Sequence, residues 1–559
     1  MIHLALVRRR RLARVRWCDL ARAACAAALL AGCAQQPAAQ TARPAGTHPW
    51  TIPGKLRIGI AGTLNTLDPI LSTQQIEAFA QTFVLDPLIA TDPAGRDVPV
   101  LAAEVPTLEN GGISRDGLTI TYHLRHGVKW HDGAPFTSRD VAFTVAAIMN
   151  PNTNVATRHG YDRIARVETP DAYTVVFRLK APFAPAVHTF FAHSDAPYMI
   201  MPAHLLAKYH DLNRVPFNES PVGTGPFKIE RWVRGDRIEY VRNPGYFLGK
   251  PRLQSIELRF VPDENTLVNQ LRAHEIDWFA QATPRVYPQL KTIDGVDVRL
   301  VPFNGNDAII INLSRLPLDD VRVRRAIGLA IDKGQLVRDA TFGTTVAATE
   351  DLPPLLWAFD PRAGTSRRDL PRARALLDAA GWHAGVDGIR ARNGKRLELG
   401  VAYRSDSATD RQRSVLIASM LREAGIEIAL KGYTTALLYG APGNGILADG
   451  KYDLGLQTWY AGSDPDDSTQ LLCSELAPHG YNWSRYCSPE MDAAQKIALT
   501  NYDRPTRKRA YATIESLLAR DAPFIYLWWP RQIEAVSTDL KNFRPNGIVE
   551  SWNAWQFEI

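Results

Sequence analysis

The stretch from Leu397 to Leu430 constrains the fold of this chain more than any other. Leu397 to Tyr403 reads as a strand, Arg411 to Ala424 as a helix stopped by Gly425, and Ile426 to Leu430 as a second strand. Strand, helix and strand within about 35 residues form a βαβ unit, whose crossover requires parallel pairing. The fold class is therefore α/β. Other segments carry the same punctuation. Asp319-Asp320 precede a helix with Val323, Ala326, Ile327 and Ala330 on one face, and the helix from Pro371 to Ala380 stops at Gly381. Leu56, Ile58 and Ile60 alternate as in a strand, as do Leu118, Ile120, Tyr122 and Leu124. Val167 to Leu179 reads as a hairpin turning at Thr169-Pro170-Asp171-Ala172. Thr137 caps a helix, with Asp140 in its first turn.

At 559 residues the chain exceeds what one core can hold, so two or more lobes are expected. Hydrophobic residues at 45% and charged residues at 22% suit a globular body, and no apolar run reaches the ~18 residues of a membrane span. The formal charge of +7 misleads: residues 1–32 hold seven arginines and one acid, Asp19, which leaves +1 for the remainder. A nearly neutral body removes the case for a nucleic-acid partner.

Those arginines belong to an address. Arg8 to Arg16 form a basic region, Ala23 to Leu30 an apolar one, and Leu30-Ala31-Gly32-Cys33 closes the segment like a bacterial lipobox. Residues 1–32 are thus expected to be a lipoprotein signal peptide. Cys33 becomes the lipidated first residue of a protein held at a membrane in the periplasm or cell envelope. Residues 33–54, rich in Ala, Pro, Gln and Thr, read as a flexible tether. Cys473 and Cys487 remain in a chain bound for an oxidising compartment. A disulfide is the simplest account, worth ~3 kcal/mol for a loop of that length. Two free buried thiols are the alternative.

Several motifs occur in a telling order. Leu67-Asp68-Pro69 comes first. Asp116 to Arg125 follows, then Gly127-Val128-Lys129-Trp130-His131-Asp132-Gly133 and Pro135-Phe136-Thr137. Val222-Gly223-Thr224-Gly225-Pro226-Phe227, then Asn312 with Asp320 to Ala326, and Asp464-Pro465-Asp466 after Trp459 complete the series. From about Leu56 to the C-terminus the chain resembles the family 5 extracellular solute-binding proteins, the dipeptide, oligopeptide and nickel binders of bacterial ABC importers. The resemblance implies a two-lobed periplasmic-binding-protein fold of the large type II kind, closing by hinge motion over a ligand. Lobe I would comprise 55–305 plus 526–559, with a subdomain at about 86–215, and lobe II 306–525. It implies a monomeric binder without catalysis or cofactor, delivering a small peptide or peptide-like solute to permease subunits.

The resemblance also carries residues. Arg404 follows a strand at the place where the dipeptide binders hold the peptide carboxylate, and a guanidinium suits that by its bidentate geometry. The bland reading pairs it with Asp406 instead. Trp459 and Tyr460 offer flat walls. In the peptide binders an aspartate three residues after the tryptophan meets the ligand's ammonium. Here that place is Gly462, so either Asp464 slides into the role or the amine is met elsewhere. Asn65, Gly223 and Thr224 complete the candidate contacts, the glycine turn because it lets a ligand approach backbone. His123, His126 and His131 lie close in sequence, but His123 and His126 point to opposite faces of a strand, so no metal is expected there.

Other functions remain open at this level. A nickel chelate, an opine or an oligosaccharide would suit the same cleft. A secreted hydrolase is disfavoured because no G-x-S-x-G elbow, H-E-x-x-H or P-loop lysine motif occurs. A lipoprotein that signals rather than imports is the third reading.

Overall fold

A computed structural model of the chain describes residues 46–72, 74–192, 198–362 and 367–559. The expected signal segment, Cys33 and most of the tether lie outside them. His48–Ile559 form one unit built on two large mixed sheets.

The first sheet runs in the order Val296–Pro302, Arg531–Ser537, Trp278–Ala282, Lys55–Ile60, Ser255–Phe260, Arg237–Arg242, Phe227–Val233. Its central strand, Lys55–Ile60, lies parallel to both neighbours. The second sheet runs Val346–Ala347, Phe524–Trp529, Gly305–Ile311, Leu454–Tyr460, Glu398–Arg404, Glu427–Tyr433. Here the expected βαβ unit is present: Glu398–Arg404 and Glu427–Tyr433 pair in parallel through the helix Ala408–Glu423, and Leu454–Tyr460 joins them in parallel. Gly425 and Gly381 stop their helices with φ of +88° and +83°, where a side chain would be strained. Separate apolar clusters cover each face of each large sheet, as parallel strands require.

The chain passes between the sheets twice. The first crossing is Phe303-Asn304 and the second is Pro530, and Phe303 N donates to Pro530 O at 3.2 Å, so the two crossings touch. The return therefore falls at 530 rather than 526: Phe524–Trp529 pairs with Gly305–Ile311 and stays in the second sheet. Pro530 offers no N–H to a ladder and suits a break between strands.

A three-stranded sheet, Thr119–His123, Thr174–Leu179 and Ile164–Asp171, packs with the helix Ser138–Met149 in the expected subdomain. Thr137 N donates to Asp140 Oδ2 at 2.8 Å, as the capping motif predicts. The hairpin turn sits at Ala172-Tyr173, because Thr169 to Asp171 stay in the first strand.

The tether is shorter than expected. His48 N donates to Asp539 Oδ2 at 2.8 Å, and the Trp50 ring stacks between His48 and His274, 3.7 Å from the latter. One large aromatic ring overrides the Pro- and Ala-rich composition around it. Cys473 and Cys487 are joined as a disulfide. Among the described residues, no helix is long and apolar enough to cross a membrane.

Candidate ligand-binding site

The C-terminal ends of the parallel strands in the second sheet converge on one opening. Arg404 ends Glu398–Arg404, Trp459 and Tyr460 end Leu454–Tyr460, and Thr435 follows Glu427–Tyr433. In open α/β sheets ligands collect at that edge. A cavity of about 710 Å³ lies there, within the ~300–1,000 Å³ of ordinary ligand sites. The first-sheet half supplies its other wall through Pro69, Ser72, Phe79 and the segment Ile548–Glu550, and the subdomain adds His159 and Tyr198.

Arg404 lines this cavity. Its partner is Asp410 rather than Asp406: Nε and Nη2 donate to the two carboxylate oxygens at 2.7 and 3.1 Å, and Nη2 reaches Thr458 Oγ1 at 3.4 Å. Asp406 instead accepts from Thr435. Behind Asp410 lies the fully buried Arg413, 3.0 Å from it and 2.5 Å from Asp307 Oδ1, so two guanidiniums and two carboxylates balance. Burial alone would lower the Arg404 pKa, but the hydrogen bonds and charge of Asp410 raise it above the ordinary arginine range. Arg404 is thus a fixed cation. Its Nη1 makes no hydrogen bond among the described residues and remains for an anion.

Trp459 and Tyr460 also line the cavity, the latter edge-on to Phe303 at 5.1 Å. The sequence did not single out the rest of this wall. Tyr481 stands 6.1 Å from Trp459 and 5.7 Å from Trp483, and Tyr439 stands 5.8 Å from Trp483. These aromatics lie on loops and just past the end of the short helix Thr435–Leu438, where no periodicity marks the buried face.

Four candidates fall outside the main cavity. Asp464 lies beside a separate pocket of about 30 Å³, and its carboxylate is already taken. Arg507 Nη1 and Nη2 donate to it at 2.8 and 2.5 Å, and His188 Nδ1 stands 3.5 Å away. Burial would raise its pKa, but Arg507 and His188 hold it well below the usual carboxylate range. Gly223 and Thr224 serve packing. A Cβ on Gly223 would stand 1.8 Å from Val84 O, and Thr224 Oγ1 donates to the buried Asp86 at 2.8 Å. The glycine admits backbone, not ligand. His131 bolts the same turn: its Nδ1 accepts from Gly223 N at 3.3 Å, and Nε2 sits 3.0 Å from Gly225 O. Burial pushes its pKa down to about 4, so it is a neutral strut. Asn65 is exposed, with its N bonded to Glu77 Oε1 at 3.0 Å and its O accepting from Arg234, while Pro69 of the same loop reaches the cavity. No group of three His, Cys, Asp or Glu is placed to hold a metal among the described residues.

Two α/β halves joined by adjacent crossings, with a ligand-sized cavity at the strand ends, define a two-lobed solute-binding protein. The chain belongs to the bacterial extracellular solute-binding proteins, family 5, whose middle-region model matches residues 96–477. Protein XP55 of Streptomyces lividans is 31% identical over 479 residues, covering 84% of this chain and 82% of that protein. The oligopeptide-binding protein AppA of Bacillus subtilis is 25% identical over 504 residues, covering 88% and 89%. The structure of AppA in complex with a nonapeptide matches with a TM-score of 0.75 at 23% identity, over 90% of this chain and 98% of that one. NikZ of Campylobacter jejuni in complex with Ni(L-His) matches at 0.76 and 23%, over 90% and 99%. The fold is that of the periplasmic binding proteins.

Proposed function

We propose that this chain captures a peptide or peptide-like solute in the 710 Å³ cavity and delivers it to the permease of an ATP-driven importer. The observation that carries the reading is Arg404, a buried-backed cation with one free nitrogen at the carboxyl edge of the second sheet. It suits a ligand carboxylate. The relative AppA, an oligopeptide-binding protein whose structure holds a nonapeptide, supports the ligand class. Trp459, Tyr460, Tyr481 and Trp483 give that ligand apolar faces to rest on. Lipidation at Cys33 keeps the protein at the membrane surface, and the cavity binds without chemical turnover.

The test is native mass spectrometry of gently purified protein, followed by calorimetry with the species retained. A retained peptide released unchanged is the expected result. A nickel chelate, as in NikZ, or a ligand released chemically altered would overturn the peptide reading.

A further inference from the structure

A ligand that brings a carboxylate to Arg404 and carries a free amine needs an acid elsewhere in the same cavity. Asp464 is unavailable, being matched by Arg507 and His188. Among the described lining residues Glu550 is the single carboxylate, as Arg404 is the single guanidinium. Glu550 is 1% exposed, and no Lys, Arg or His stands within ion-pair distance of it among the described residues. Its hydrogen-bond donor is neutral: Gln281 Nε2, at 2.9 Å from Oε1.

The backbone is shaped to make that arrangement. Pairing between Trp278–Ala282 and Arg531–Ser537 shifts register between Phe279 and Ala282, and Gln281 within the bulge holds a left-handed φ of +56°. Bulges re-aim side chains, and strained backbone of this kind collects at functional sites. Gln281 turns its side chain to Glu550 and its N–H to Glu534, which also accepts from Trp278 Nε1 at 2.6 Å. The segment that carries Glu550 is fixed too. Asn546 Oδ1 accepts from Ile548 N and Val549 N at 2.9 and 2.6 Å, and Ser551 is hydrogen-bonded to Thr82. Burial beside the carboxyl of Glu534 raises the Glu550 pKa to about 7, and a ligand ammonium next to it would draw it back toward the ionised form.

We propose that Glu550, aimed by Gln281, receives the ammonium group of the ligand, so that the protein selects peptides with a free N-terminus or another primary amine. The inference rests on the peptide reading above. Arg404 belongs to the second-sheet half and Glu550 to the first, so a zwitterionic ligand ties the two halves together, and closure follows from differential contact with both.

The test uses the full purified chain and a randomised library of tri- to pentapeptides, offered in free and N-acetylated forms and read by native mass spectrometry and calorimetry. The expected result is a preference for the free amine of roughly tenfold or more. Glu550→Gln should abolish the preference, bringing the free peptides down to the affinity of the acetylated ones. Equal binding of both forms by the unaltered protein, or a preference that survives in Glu550→Gln, overturns the role of Glu550 and leaves the peptide reading standing. Retention of neither form overturns both. The comparison of the two peptide forms on the unaltered protein needs no variant to fold.

Discussion

Asp464 and Glu550 are both carboxylates shut away from water, and they have opposite fates. Asp464 sits on the seam where the loop after Trp459 meets the subdomain, with Arg507 bidentate upon it and His188 beside it. Glu550 sits on the cavity wall with a neutral amide. Desolvation raises both pKa values; on the seam the Arg507 charge reverses the shift, while on the cavity wall it stands, at about 7. A buried acid that the chain itself has neutralised is part of the framework. One that the chain has left without a cation, and that also lines the cavity as Glu550 does, is placed to meet a ligand.

Removing the framework cation should have the largest effect. Arg507→Ala strips Asp464 of its bidentate partner and leaves it buried, at a cost of about 3–5 kcal/mol of stability in urea or thermal unfolding. The guanidinium also packs over the Trp357 ring at 5.2 Å, so the loss is not electrostatic alone. Unfolding midpoints unchanged by the substitution would erase the distinction between the two acids.

Next in size is the cavity cation. Arg404→Ala should cost about 1–3 kcal/mol of stability, less than Arg507→Ala because Asp410 keeps Arg413 at 3.0 Å, and should weaken a carboxylate ligand by about 2 kcal/mol, roughly 30-fold, in calorimetry. The effect is held to that size because Asp410 already uses Nε and one hydrogen of Nη2. Amidating the ligand's C-terminus should cost the same, and costs that instead add in the variant would place the carboxylate elsewhere.

The two acids also show what a sequence can reveal. Strand, helix and glycine stop at Leu397 to Gly425 are local patterns, so the βαβ unit and the position of Arg404 at its strand end were legible. The consecutive motifs gave the family. The choice between Asp464 and another group for the amine stayed open because the partner of Asp464, Arg507, lies 43 residues on, across a fold that spacing does not encode. Gly223 and Thr224 were misread because a glycine needed for backbone approach looks the same whether the backbone is a ligand's or Val84's. Glu550 gave no signal: it becomes a site only when the C-terminal segment returns to the first sheet and a bulge turns Gln281 toward it.

The smallest expected effect is in the pH profile of the seam. Burial alone would lower the His188 pKa, but Asp464 and Asp97 raise it from 6.5 to about 9. A raised folded value means that the charged ring stabilises the fold fully below about pH 6.5, and that this contribution fades as pH climbs through 9. Asp464, with its lowered value, keeps its contribution above the ordinary carboxylate range and loses it only on acidification through and below about pH 4. Glu550 behaves like the histidine in sign, since its neutral form is favoured: its share falls as pH rises through about 7. Other buried acids with raised values, Asp68 and Asp86 among them, fall in the same direction, so the wild-type profile alone does not isolate the seam. The difference between wild type and His188→Gln does. Between pH 6.5 and 8 the wild type should lose on the order of 1 kcal/mol more than the variant in urea titrations, because only the wild type has an imidazolium to discharge. Parallel profiles would mean that Arg507 alone satisfies Asp464, and that the seam owes nothing to the histidine.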